Sequence, residues 1–120
     1  MTKQTFQPPF SIHVRAKTDS QNLRLFCGAG MVIFNWELDF RELRVHDPLT
    51  GQQFGLQGRG IISPNDWHDI VWEVQRTGMR LLVDGVVRFA NRKDYHTLNA
   101  TVGIGQFRSK VTVDYFQVQK

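Results

Sequence analysis

Apolar and polar side chains alternate along most of this chain. Phe10, Ile12, Val14 and Ala16 share one side of a segment whose other side is Ser11, His13 and Arg15. A period of two is that of a half-buried strand, because successive side chains leave opposite faces. The segment stops at the turn-forming cluster Thr18-Asp19-Ser20-Gln21-Asn22. Leu23 to Cys27 reads as a second strand, and Gly28-Ala29-Gly30 as a turn. Met31 to Phe40 then alternates as one long strand. Val32, Phe34, Trp36, Leu38 and Phe40 lie on one face, and Met31, Ile33, Asn35, Glu37 and Asp39 on the other. Glu42 to Asp47 continues the pattern before a Pro- and Gly-containing turn at 47–51. Gln52 to Gly60 is glycine-rich and reads as an edge strand or bulged loop.

The second half is more regular. Trp67 to Gln75, Met79 to Val83 and Val86 to Phe89 are strands separated by short turns, and Asp84-Gly85 between two apolar runs is a hairpin signal. Ala100 to Gly105 and Val111 to Val118 complete the set. No stretch keeps a helical period over three turns. About eight to ten short strands with turns between them predict an all-β fold, a two-sheet antiparallel β-sandwich. Residues 1–9 read as an N-terminal arm and residues 10–120 as a single domain.

Composition narrows the function classes. A chain of 120 residues can bury a core without disulfides. Its one cysteine, Cys27, stands in an apolar stretch and reads as a buried small residue. The net charge of +4 comes from 15 basic and 11 acidic residues, and the arginines are scattered rather than clustered. A solvated surface accounts for that charge, so no nucleic-acid partner is expected. No apolar run is long enough for a membrane helix, so no membrane partner is expected either. His13, His46, His68 and His96 show no ligand spacing, and no calcium-loop motif is present. No metal and no cofactor are expected. The lack of an apolar leader and of a cysteine framework leans towards the cytoplasm. The chain reads as a module of a larger parent protein.

Trp67-His68-Asp69-Ile70-Val71-Trp72-Glu73-Val74, the turn, Met79 to Gly85 and Val86 to Phe89 resemble the central hairpin of concanavalin A-like domains, including the Val83-Asp84-Gly85 turn. The tail, Val102 to Gly105 and Val111 to Val118, is similar to their closing strands. That superfamily holds laminin-G modules, legume lectins and glycoside hydrolase family 16. The resemblance implies a jelly-roll sandwich and a lectin-like role. Glu37-Leu38-Asp39-Phe40-Arg41-Glu42 also resembles the E-x-D-x-x-E pattern of family 16, which would make Glu37 the nucleophile, Asp39 its helper and Glu42 the acid/base. Retaining hydrolysis needs two carboxyl groups about 5 Å apart. Glu37 and Asp39 share a face of the expected strand, and Glu42 joins them through a bulge. The chain is far shorter than those enzymes, and Leu43-Arg44-Val45 does not continue their signature. The expected module is therefore non-catalytic.

A sugar site needs an apolar plane for C–H faces and polar forks for hydroxyls. On a sandwich, a concave sheet face can present both. The candidate ligand-binding residues are Asn35, Glu37 and Asp39 on the long strand, with Arg44 and His46 beside them. His13 and Arg15 join if the first strand lies in the same sheet, and Trp67 is a rim platform. Trp36 and Trp72 are expected in the core. The leading expectation is a module that binds an oligosaccharide or other polyhydroxylated ligand. A protein-interaction sandwich is the alternative, and a reduced glycosidase using Glu37 and Glu42 a third. An exposed edge strand offers a route to a homodimer.

Overall fold

The computed structural model describes residues 1–120. Ten strands form: β1 (Phe10–Thr18), β2 (Leu23–Cys27), β3 (Gly30–Phe34), β4 (Glu42–His46), β5 (Gln53–Gln57), β6 (His68–Gln75), β7 (Gly78–Val83), β8 (Val86–Ala90), β9 (Val102–Gln106) and β10 (Val111–Gln119). They make two five-stranded antiparallel sheets, ordered β10-β1-β6-β7-β8 and β5-β4-β3-β2-β9. The expected all-β, two-sheet antiparallel sandwich is the observed fold.

Alternation builds the core. The inward sets are Phe10, Ile12, Val14 and Ala16 on β1, Ile70, Trp72 and Val74 on β6, and Met79, Leu81 and Val83 on β7. Leu23, Leu25, Val32, Phe34, Leu43 and Val45 meet them from the facing sheet. Trp72 is buried and its indole Nε1 donates to the Met79 sulfur at 3.4 Å. Cys27 is also in the core, where burial and the Asp47 charge push its thiol up to about 12. The buried Asp47 links distant segments. Its carboxylate accepts from the Tyr95 hydroxyl at 2.7 Å and the Thr50 amide at 2.9 Å, and pairs with Lys93 at 3.2 Å. The N-terminal segment is tied to the start of β9 and the residues before it: the Thr2 amide donates to the Val102 carbonyl at 2.7 Å, and Phe6 bridges to Ala100.

Two sequence expectations change here. The long strand over Met31 to Phe40 ends at Phe34, because Asn35 takes a left-handed conformation with φ of 51°. Its side chain compensates. The amide donates to the Ser20 and Ile62 carbonyls at 2.9 Å each, and its oxygen accepts from the Ile62 amide at 2.9 Å. Beyond it Trp36 to Asp39 is a tight turn, which leaves Leu38 and Phe40 exposed rather than in the core. The first strand is also not in the sheet of β3 and β4. It lies in the other sheet, between β10 and β6.

Candidate functional site

The outer face of the β5-β4-β3-β2-β9 sheet gathers most of the recognition chemistry. Pairing registers arrange it in rows. One row runs Gly105, Arg24, Ile33, Arg44, Gly55 from β9 to β5, and the next runs Gly103, Phe26, Met31, His46, Gln53. Arg24 and Arg44 stand on strands that flank β3, so their backbones are about 10 Å apart. Between them Ile33 is only 3% exposed yet is not part of the inter-sheet core. It points outward and is covered by its neighbours on this face.

Each arginine is held by a carboxylate. Arg24 pairs with Glu37 at 3.6 Å, and Arg44 with Glu42 at 3.4 Å; all four side chains are only 19–24% exposed. Asn22 completes the first pair, donating to Glu37 at 2.7 Å and accepting from Arg24 Nε at 2.9 Å. Arg44 also donates to Gln53 at 3.1 Å and lies 5.0 Å over the Trp36 ring. Trp36 is thus half-buried beside the polar row and not in the core. Gly55 makes room for Glu42, since a Cβ there would stand 2.2 Å from the Glu42 carboxyl carbon. On the β9 side the Arg24 guanidinium stacks 5.1 Å from the exposed Phe107 ring. Partial burial, then the charges of Arg44 and Arg24, hold His46 below the usual imidazole range. His46 is therefore neutral at pH 7, with one ring nitrogen to donate and one to accept.

The candidates named from sequence fall into three places. Glu37, Asp39, Arg44 and His46 stand on or at the rim of this face. Asn35 is buried beneath it with its amide committed to protein partners, so it positions the 36–41 turn. His13, Arg15 and Trp67 stand on the outer face of the opposite sheet, so the condition on which His13 and Arg15 would join the first set is not met, and Trp67 is not at the rim of that face. There Arg15 pairs with Asp69 at 3.2 Å and Asp114 at 3.6 Å, and Lys17 lies 4.8 Å over Trp67. Sequence reading missed Arg24, Gln53 and Gln57 as members of the face. The signal for Arg24 was its place between the inward Leu23 and Leu25.

The three carboxylates of the E-x-D-x-x-E pattern do not share a strand face. Glu37 turns to Asn22 and Arg24, and Glu42 to Arg44. Asp39 accepts from the Arg41 amide at 3.0 Å and from Gln57 at 2.9 Å; these hydrogen bonds hold its carboxyl below the usual range. A second trio also has the residue types of a nucleophile site. His68 Nδ1 is 2.8 Å from Asp84, and its Nε2 is 3.3 Å from the Ser63 hydroxyl. The Ser63 carbonyl, at 2.9 Å, competes for the same Nε2. That geometry locks the loop onto the hairpin and leaves no base directed at the hydroxyl.

In class, the architecture is that of the galectin-type jelly roll, and the concanavalin A-like fold inferred from Trp67 to Phe89 is the one observed. In particular, the chain is similar to CG-16, a homodimeric agglutinin from chicken liver, with a TM-score of 0.74 and 13% identity over 99% of this chain and 97% of that one. It is similar to the Caenorhabditis elegans galectin LEC-6, with a TM-score of 0.70 and 9% identity over 100% and 89% of the two chains. A β-1,3-glucanase from Mycobacterium marinum shares the fold at a TM-score of 0.62 and 14% identity, over 98% of this chain and 65% of that one. No family model matches the sequence, and no curated protein does.

Proposed function

We propose that the chain is a carbohydrate-binding module whose site is the outer face of the β5-β4-β3-β2-β9 sheet. The observation that carries this reading is the pair of half-buried guanidinium–carboxylate couples on either side of Ile33. A sugar hydroxyl both donates and accepts, and each couple offers an acceptor and a donor side by side. Because the couples are neutral as units, they suit a polyhydroxylated ligand without requiring a charge on it. Each holds its partner in place before binding, which lowers the ordering cost of recognition. Trp36 supplies an apolar plane beside them. Neutral His46, Gln53 and Gln57 extend the polar set towards β5, and Glu37 and Asp39 come from the turn held by Asn35. The galectin neighbours add support at the level of fold.

The test is a glycan array followed by calorimetric titration of each hit with wild type, Glu37→Gln, Arg44→Ala and, on the opposite face, Arg15→Ala. Losing one charge-assisted fork should weaken binding by about 10- to 100-fold. Arg15→Ala should bind as wild type. The recovered sugar should be intact, and released reducing ends would instead promote the glycosidase alternative. Binding to no glycan, or binding that Arg44→Ala leaves unchanged, would transfer this face to a protein partner.

A further inference from the structure

The sandwich edge formed by β5 and β8 is open between the two sheets. Phe54 and Phe89 meet there with ring centroids 5.4 Å apart, and both pack on the core. Outside them is a cavity of about 430 Å³ lined by Leu56, Arg59, Val87, Arg88 and Phe89. That volume lies within the range of small-ligand sites, about 300–1,000 Å³.

Two guanidinium groups stand at this mouth, those of Arg59 and Arg88. Neither makes an ion pair with a carboxylate. Arg88 is also aimed by a backbone irregularity. Leu81 faces Phe89 while Leu82 faces Val87, so Arg88 is the extra residue of a β-bulge on the edge strand. Bulges redirect side chains. Here Arg88 reaches across the mouth and donates to the Arg59 carbonyl at 2.7 Å. Burial lowers the Arg88 guanidinium from its usual range, in spite of the Asp84 charge nearby. A partly desolvated cation that makes no direct ion pair and stands near a second cation is electrostatically unfavourable. An anion between them would relieve both terms.

We propose that the β5–β8 mouth binds a monomeric amphiphilic anion. Its carboxylate or sulfate head lies between Arg59 and Arg88, and its apolar body rests on Leu56, Val87 and Phe89. This site is separate from the sugar face and does not rest on that reading.

Calorimetric titration of the whole chain with octanoate, 1-octanol and acetate tests it. Octanoate should give saturable one-to-one binding, with a dissociation constant on the order of 1 mM or tighter. Octanol, which lacks the charge, and acetate, which lacks the body, should each bind at least tenfold more weakly. Arg59→Gln loses no side-chain hydrogen bond of the fold, and Val87→Asp alters an exposed position; both should keep the wild-type melting curve and lose octanoate. Arg44→Ala should bind octanoate normally whatever it does to sugars. The proposal is overturned if octanoate does not bind, if octanol binds as tightly, or if Arg59→Gln and Val87→Asp bind octanoate like wild type.

Discussion

Arg44 holds three neighbours at once: Glu42 at 3.4 Å, Gln53 at 3.1 Å and the Trp36 ring at 5.0 Å. A planar guanidinium can do this and an ammonium cannot, because stacking and forked donation both need the plane. Its charge also acts on His46, which is depressed first by partial burial and then by Arg44 and Arg24. Arg44→Ala should therefore raise the His46 pKa towards the ordinary imidazole value of about 6.5, read from its ring proton shifts by NMR. The sign for stability follows from the same depression. Between about 6.5 and the lower folded value the unfolded chain binds more protons, so His46 stabilises the fold fully above about 6.5 and less as pH falls through that window. A wild-type His46 that titrates above about 6.5 would show that neither burial nor the two arginines governs it. Arg24 and Arg44 were readable as outward residues from alternation alone. Of their carboxylate partners, Glu42 lies two residues from Arg44 on the same strand face, whereas the pairing of Arg24 with Glu37 depends on where the chain bends.

At the scale of elements, the bend at Asn35 decides the site. Alternation continues through Trp36, Leu38 and Phe40, so no hydrophobic pattern signals that β3 has ended. The stop comes from one side chain that satisfies three backbone groups in segments distant in sequence. Such long-range hydrogen bonding leaves no local signature. Asn35→Ala should cost roughly 2–4 kcal/mol in urea denaturation, from two buried hydrogen bonds, a third partly buried one and a left-handed backbone that alanine tolerates poorly. It should also weaken glycan binding without touching the ligand, since Glu37 and Asp39 follow it on the turn. A cost under about 0.5 kcal/mol, the ordinary surface value, would remove Asn35 from this role. The strands with close partners, such as the β6–β7–β8 meander, were legible because short turns fix their register. The place of β1 was not, since both of its neighbours lie far along the chain. That is why the sheet of His13 and Arg15 stayed open in the sequence.

At the scale of the molecule, the four sheet edges are treated differently. β10 carries a bulge at Asp114 and β8 one at Arg88, and the N-terminal segment covers the start of β9 at Val102. Bulges and covering segments both discourage edge pairing, so a homodimer built on an edge strand would use β5. Removing residues 1–7 should destabilise the fold by about 2–3 kcal/mol, chiefly through loss of the buried Phe6, and free the β9 edge. Sedimentation velocity should then show stronger concentration-dependent association than that of the whole chain. Unchanged stability and an unchanged sedimentation coefficient would mean that the arm neither packs nor guards.

The central position of β1 has a temporal side. Ser11 pairs with Glu73 on one flank and with Gln119 on the other, so the ladder on that second flank closes only when β10 is available. At translation speeds of about 5–20 residues per second, the first strand waits roughly 5 to 20 seconds for its last neighbour. Until then the β1 sheet lacks an edge and Val14 and Ile12 lack part of their cover. Productive folding must therefore follow the synthesis of β10, in the slow regime of non-local β topologies. A nascent chain stalled before Val111 is the form of this protein most exposed to aggregation.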